Sequence, residues 1–439
     1  TINNDKVLNL INNFRNNGGE EEKIKIFEKI FKDKLMQKKE TILEFSNRFK
    51  ELYYFFDNKF LTNNLDENLD ENNFEIISTK EAKSLINDDS INWISENDAK
   101  NKLLNSPNPL VYTNSENSLT WIFNNLKETN LPDQIRLFKD KLKFRELTKD
   151  MFPDFLFRKI KIDDIQTLDI DELKLPFVIK PSLGFFSIGV HIVRNKSDWY
   201  TAQKELNYDN LKSIYPKEVM DASTFIIEEY IEGEEFAIDA YFNNDGEVVI
   251  LNILHHIFSS STDVSDRVYS TSQSIIRKYK ESVEEFLKPI GKKADLKNFP
   301  LHVEVRIDKR GVIKPIEINP QRFGGWCTTG DLSWYAFKFN SYQYFILNKK
   351  PNWDEIFKTM KDKIYSIILL NNNSGSKPSE ISHFDFDMLK QDLENILVIR
   401  KLDFNKYPAF GILFTETSEG NEKELKEILN SDLSKYIRK

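Results

Sequence analysis

At 439 residues the chain is long enough for two to four modules with a substantial core. Its net charge of −8 leaves no basic footprint for nucleic acid, and its single cysteine excludes an internal disulfide, which agrees with a reducing cytoplasm. Nowhere do eighteen apolar residues run together, and residues 1–5 lack a basic stretch followed by an apolar one, so neither a membrane span nor a signal peptide is expected.

In chain order, Phe27, Ile30 and Phe31, then Phe45, Phe49, Leu52 and Phe56, recur at helical spacing. They predict two amphipathic helices joined near residues 37–40, with the aromatics as core. Residues 63–73, rich in Asn, Asp and Glu, predict a loop. Strands over 74–78 and 110–113 and a helix over 118–126 follow, so residues 1–136 are expected to form a largely helical α/β domain. A helix over 137–147 leads into the next module.

Residues 176–190, PFVIKPSLGFFSIGV, read as an apolar strand ending near Lys180, a loop with Gly184, Ser187 and Gly189, and a second apolar strand. Glycines let backbone N–H groups close on phosphate oxygens, Ser187 adds a hydroxyl and Lys180 a point charge. An ordinary hairpin turn fits the same residues. Residues 225–241, FIIEEYIEGEEFAIDAY, read as a strand, an acidic turn around Gly233 and a second strand. Charges this close to apolar strands either face water or bind something. A carboxylate such as Glu235 suits the two hydroxyls of a ribose, and backbone groups from Glu229 to Ile231 suit an adenine edge. A strand over 248–254 comes next, and the serine-rich middle of LHHIFSSSTDVSDRVYS, in or beside which lie His255, His256, Asp263, Asp266 and Arg267, suggests a loop after it.

Residues 301–326 are the most informative. Apolar residues alternate over 301–307 and 312–318 around the turn Asp308-Lys309-Arg310-Gly311, which predicts a β-hairpin. Residues two apart share a strand face, so His302, Glu304 and Arg306 project together, and Glu317 and Asn319 face them as neighbours or diagonal neighbours. Magnesium takes one or two carboxylates plus substrate phosphates, and Glu304, Glu317 and the amide oxygen of Asn319 supply such a set. Solvated carboxylates on a polar hairpin face are the alternative. Residues 324–330 offer backbone N–H groups for a substrate carboxylate or serve as a plain loop. No His/Cys cluster has zinc spacing, and Cys327 reads as packing. Beyond residue 351, strands over 364–370, 397–402 and 409–417 and a helix over 421–429 predict a small α+β appendage that covers the active site, mediates a homo-oligomer contact or packs the core.

In this order and spacing the segments resemble the carboxylate-amine ligase branch of the ATP-grasp superfamily, over roughly residues 137–344. The resemblance implies an α+β fold in which two antiparallel-sheet halves, 137–224 and 225–348, sandwich ATP, with 1–136 before them and 349–439 after. By the same resemblance Lys141 and Lys180 are the two nucleotide lysines, Ser187 and Gly189 belong to the phosphate loop, and Glu228, Glu229 and Ile231 form the adenine hinge. Glu235 binds ribose, while Glu304, Glu317 and Asn319 hold two magnesium ions, a role manganese also serves. Arg322 resembles the arginine that stabilises the transferred phosphoryl group, although it lies three residues after Asn319 where many members have it two after; Arg267 is a second candidate for phosphate or substrate. The implied activity is ADP-forming ligation of a small-molecule carboxylate, an amino acid or peptide among the options, to an amine through an acyl phosphate. Side-chain modification of a peptide, a phosphotransferase that stops at the first step, and a non-ligating ATP-responsive regulator remain as alternatives.

Overall fold

In the computed structural model the described residues are 74–85, 92–113, 116–184, 189–206, 221–259, 267–324, 328–360 and 362–439. The chain divides into two compact units, Thr1–Pro132 and Asp133–Lys439. The two helices expected within residues 27–56 and the loop over 63–73 lie outside the described residues, and no described helix is long and apolar enough to cross a membrane.

In the first unit, β1 (Ile76–Ile77) pairs in parallel with β2 (Trp93–Ile94), accompanied by the helices α1 (Lys80–Leu85), α2 (Glu96–Leu103) and α3 (Glu116–Asn125). Ser95 caps α2 by accepting the Asp98 N–H. Residues 110–113 form no strand. They run as a connection in which Leu110 is well exposed and Thr113 buried.

The expected helix over 137–147 is two helices. α4 (Leu131–Lys139) ends where Asp140 turns extended, and α5 (Lys141–Thr148) begins under its carboxylate, which accepts the Leu142 and Lys143 N–H groups. This cap makes Lys141 the first residue of α5.

In the second unit, β3 (Phe157–Lys161), β4 (Phe177–Leu183), β5 (His191–Val193) and β6 (Asp221–Glu229) build a four-stranded antiparallel sheet in the order β3-β6-β4-β5. The helix α6 (Lys196–Glu205), capped by Asn195, covers it. Phe177, Ile179, Trp199, Phe225 and Ile227 form its core, with the Phe177 and Trp199 rings 5.6 Å apart and edge-on.

The second sheet has eight antiparallel strands: β7 (Glu234–Phe242), β8 (Val248–Ile257), β9 (Val268–Ser272), β10 (Phe299–Ile307), β11 (Ile313–Pro320), β12 (Lys363–Asn371), β14 (Ile396–Lys401) and β15 (Ala409–Ser418). Their order is β11-β10-β7-β8-β9-β12-β15-β14, while β13 (His383–Phe384) pairs separately with β16 (Ile437–Arg438). The long helix α7 (Gln273–Lys293) packs on β8 and β9. The strands beyond residue 351 therefore do not stand apart as an appendage; β12 pairs directly with β9, so they widen the same sheet. Their core of Phe384, Phe410, Leu413, Leu425, Leu429 and Tyr436 includes Val268 of β9.

β6 and β7, one from each sheet, are joined by a tight connection at Gly233, whose φ is +133°. A Cβ there would sit 2.5 Å from the Ile307 carbonyl oxygen. We expect Gly233→Ala to destabilise the protein by about 1–3 kcal/mol, read as a lowered urea midpoint, because neither φ nor space suits a side chain. An unchanged midpoint would contradict the tight packing of this connection.

Candidate functional site

The hairpin β10–β11 forms as its alternation predicts, and its register sets Glu304 directly opposite Glu317 and His302 opposite Asn319. A bulge after Glu304 shifts the remaining ladder by one residue, so the carboxylates face each other despite the turn length. Asn319 donates its amide N–H to Glu317 Oε1 at 3.0 Å, which orients both side chains. Lys141, at the start of α5, places its ammonium 3.3 Å from Glu317 Oε2 and 3.5 Å from the Gly184 carbonyl oxygen, tying the helix to both the acidic hairpin and the edge of the glycine loop. Burial pushes the Glu317 carboxyl up, but Lys141 and Lys180 outweigh it and hold it well below the usual carboxylate range.

Lys180 on β4 is buried and forms an ion pair with Glu228 on β6. Glu228 also accepts from Arg145 Nε at 2.8 Å, and Arg145 reaches across to the Pro315 and Ile316 carbonyls of β11 at 2.8 and 3.3 Å. One carboxylate between two cations explains opposite pulls within the pair. Burial raises Glu228, yet Arg145 and Lys180 hold it down at about 2. Burial lowers Lys180, and Arg145 and Lys141 add repulsion that its single partner Glu228 only offsets. Arg145 has no role in the sequence reading. It stands one helical turn after Lys141 on α5, and that i, i+4 spacing is the signal that placed both cations toward the same site.

The connection after β6 is held by internal contacts. The Glu229 and Tyr230 N–H groups donate to Leu156 O at 2.9 Å and Pro176 O at 3.2 Å, and the Glu229 carboxylate meets Lys314 at 2.9 Å. Arg306 donates to the Ile231 carbonyl at 2.7 Å and stacks its guanidinium 4.9 Å from the Tyr230 ring centroid. Glu235 sits at the start of β7 with both oxygens engaged: Oε1 lies 2.9 Å from His256 Nδ1, and Oε2 accepts from Arg306 at 3.1 and 3.2 Å. The strand β8 runs on to Ile257 and so carries His255 and His256. His256 is buried against Glu235, whereas His255 stacks on Phe236 at 4.9 Å.

Some expected groups fall elsewhere. Arg267 is buried and donates to the Leu429 and Ser431 carbonyls at 2.8 and 2.5 Å and to the Asn371 carbonyl at 3.4 Å. Its guanidinium is thus committed to the C-terminal strands and helix, which corrects its expected contact with phosphate or substrate. The position two residues after Asn319 holds Gln321, fully buried with a φ of +64°, and Arg322 follows it partly exposed. Gly184 and Gly189 flank residues 185–188, which lie outside the described residues, and Gly189 has a φ of +70°. Ser187, Asp263, Asp266 and Cys327 lie outside the described residues.

Among the described residues no group of three or more His, Cys, Asp or Glu side chains could hold a metal unaided. Two facing carboxylates beside an amide oxygen are instead the partial, all-oxygen donor set that suits magnesium shared with phosphates.

Comparison with known proteins finds a family model for the ATP-grasp domain matching residues 173–330. Alanine–anticapsin ligase of Bacillus subtilis (strain 168) is 28% identical over 207 residues, 43% of this chain and 42% of that protein. The counterpart from Bacillus amyloliquefaciens is 28% identical over 188 residues, 38% of this chain and 39% of that protein. The chain thus spans about two fifths of the length of the curated relatives it matches. Among solved structures, an L-amino acid ligase from Bacillus licheniformis superposes with a TM-score of 0.51 at 16% identity, covering 70% of this chain and 74% of that one. The N5-carboxyaminoimidazole ribonucleotide synthetase from Thermotoga maritima gives 0.53 at 14% identity, covering 83% and 91%. These two likenesses establish the fold.

Proposed function

We propose that this chain, whose residues 173–330 match the ATP-grasp domain, is an ATP-dependent ligase that joins a carboxylate to an amine through an acyl phosphate, releasing ADP and phosphate. The observation that carries this reading is the Glu304 and Glu317 pair, face to face on the hairpin with Asn319 beside it and the Lys141 ammonium 3.3 Å from Glu317. A free carboxylate is a poor electrophile because its leaving group would be oxide. Its oxygen first attacks the γ-phosphorus of ATP, and ADP leaves. The amine then attacks the acyl carbon, loses a proton and expels phosphate.

Glu304, Glu317 and Asn319 would hold magnesium, which neutralises charge on the phosphates when bound. Lys141 and Lys180 add positive charge along the nucleotide, and Glu228 keeps Lys180 in place. The connection at Glu229 to Ile231 would meet adenine. Glu235, fixed by Arg306 and His256, would accept from the ribose. We assign Arg322 to the phosphoryl group in place of the buried Gln321. The relatives' names, alanine–anticapsin ligase and L-amino acid ligase, support an amino acid as the carboxylate donor. Two lysines and a paired carboxylate set exceed what a regulator needs merely to hold ATP, which favours ligation over a sensing role.

The test is Mg-ATP turnover against individual amino acids and other carboxylates, with hydroxylamine present to trap activated acyl groups. We expect ADP together with a hydroxamate that depends on one class of carboxylate. Release of AMP would contradict the mechanism.

A further inference from the structure

The large sheet carries a buried pair that the ligation scheme leaves without a role. Asp239 on β7 and His302 on β10 are directly opposite each other in the ladder, and their exposures are 0% and 5%. His302 Nδ1 lies 2.8 Å from Asp239 Oδ1, and the same oxygen accepts the Gly324 N–H at 3.0 Å. Asp239 Oδ2 has no hydrogen-bond partner among the described residues. On its other side His302 faces Asn319 across the ladder, and its Nε2 is 3.8 Å from Glu304 Oε1. The backbone of Gly324 lies against the ring, since a Cβ there would fall 1.9 Å from His302 Cε1.

One imidazole thus adjoins two of the three proposed metal ligands and the backbone of Gly324. A carboxylate buried with so few partners is a poor way to stabilise a core, because desolvation offsets most of what its contacts return. An apolar pair would fill the same space at less cost. Partners of this kind recur behind metal-binding side chains, where a carboxylate fixes an imidazole and outer contacts set the ligand geometry.

We infer that Asp239 and His302 are positioning residues for the metal. Asp239, which can only accept, fixes the rotamer and tautomer of His302 through Nδ1–H. The clamped ring limits where the Glu304 carboxylate can sit, and the bond from the Gly324 N–H ties that backbone to the same frame. The inference rests on the magnesium reading of Glu304, Glu317 and Asn319.

The experiment uses Mn2+ as a spectroscopic probe, titrated by electron paramagnetic resonance into the full chain saturated with a non-hydrolysable ATP analogue. Asp239→Asn and His302→Gln are compared with wild type and with Glu317→Gln, and metal-free nucleotide binding is followed with a fluorescent analogue in EDTA. We expect both positioning variants to weaken Mn2+ binding by roughly 10- to 100-fold with metal-free nucleotide affinity unchanged. Should Asp239→Asn fail to fold, His302→Gln decides alone. Wild-type Mn2+ affinity in the positioning variants, beside a loss in Glu317→Gln, would reduce the pair to a packing role and overturn the inference. Unchanged affinity in Glu317→Gln as well would instead bring down the metal reading itself.

Discussion

Glu317→Gln lowers the rate of ATP turnover by about 10²–10³-fold while leaving the protein folded. The side chain keeps its size but loses the charge on which its proposed role as a ligand rests and that faces Glu304 across the hairpin. Burial works against that charge in the native protein, and Lys141 with Lys180 overcomes it, so the carboxylate is ionised throughout the neutral range. The structural loss is small by comparison. Gln keeps the shape of the side chain and can still accept from Lys141, 3.3 Å away, or from Asn319, so the fold is expected to hold. Steady-state ADP release and a thermal melt on the same sample check both halves. Normal turnover in a folded Glu317→Gln protein would refute its assignment as a ligand.

The opposite balance holds at Glu228, where we expect a large loss of stability. Glu228→Gln leaves Arg145 and Lys180 buried with their shared anion removed, and an uncompensated buried charge costs about 3–5 kcal/mol. The native carboxyl also predicts a pH dependence. Its folded value of about 2 lies below the ordinary 4.5, so the carboxylate contributes stability above that ordinary value, and the contribution is lost as the pH falls toward 2. At about 1.4 kcal/mol per unit the full effect is roughly 3 kcal/mol. Urea unfolding of wild type should weaken across this acid window, whereas Glu228→Gln should be lower at pH 7 and flatter below pH 4.5. Equal midpoints at pH 7 would show that the three groups do not act as one buried network.

What the sequence makes legible depends on how local the determinants are. The β10–β11 hairpin is readable because alternation and a turn signal fix it within twenty residues, whereas the facing of Glu304 and Glu317 depends on the bulge after Glu304. Lys141 is readable in outline, but the division of its helix depends on the single cap at Asp140. Arg267 defeats local reading because its carbonyl partners lie more than a hundred residues onward, at Asn371, Leu429 and Ser431. The same reason hides the pairing of β9 with β12, whose ladder joins Ser272 to Ile364 across the long helix α7, the β10–β11 hairpin and three further helices. Asp239 and His302 are a subtler case. Strand parity puts His302 beside Glu304, yet nothing in either strand announces that β7 and β10 are neighbours in the register that brings the pair together.

Glu235 shows how far a role can be read before its partners are known. Its place after Gly233 agrees with a ribose contact, but Arg306 and His256 already hold both oxygens in this structure. A sugar would therefore meet a carboxylate whose orientation is set in advance, which reduces the entropy lost when the nucleotide binds.

The most direct test of acyl-phosphate ligation follows the oxygen. With the carboxylate identified by hydroxamate trapping and labelled with 18O, and its amine partner supplied, each turnover should deliver one labelled oxygen to inorganic phosphate, alongside unlabelled ADP. Label appearing in AMP, or phosphate released without label while amide forms, would contradict the account.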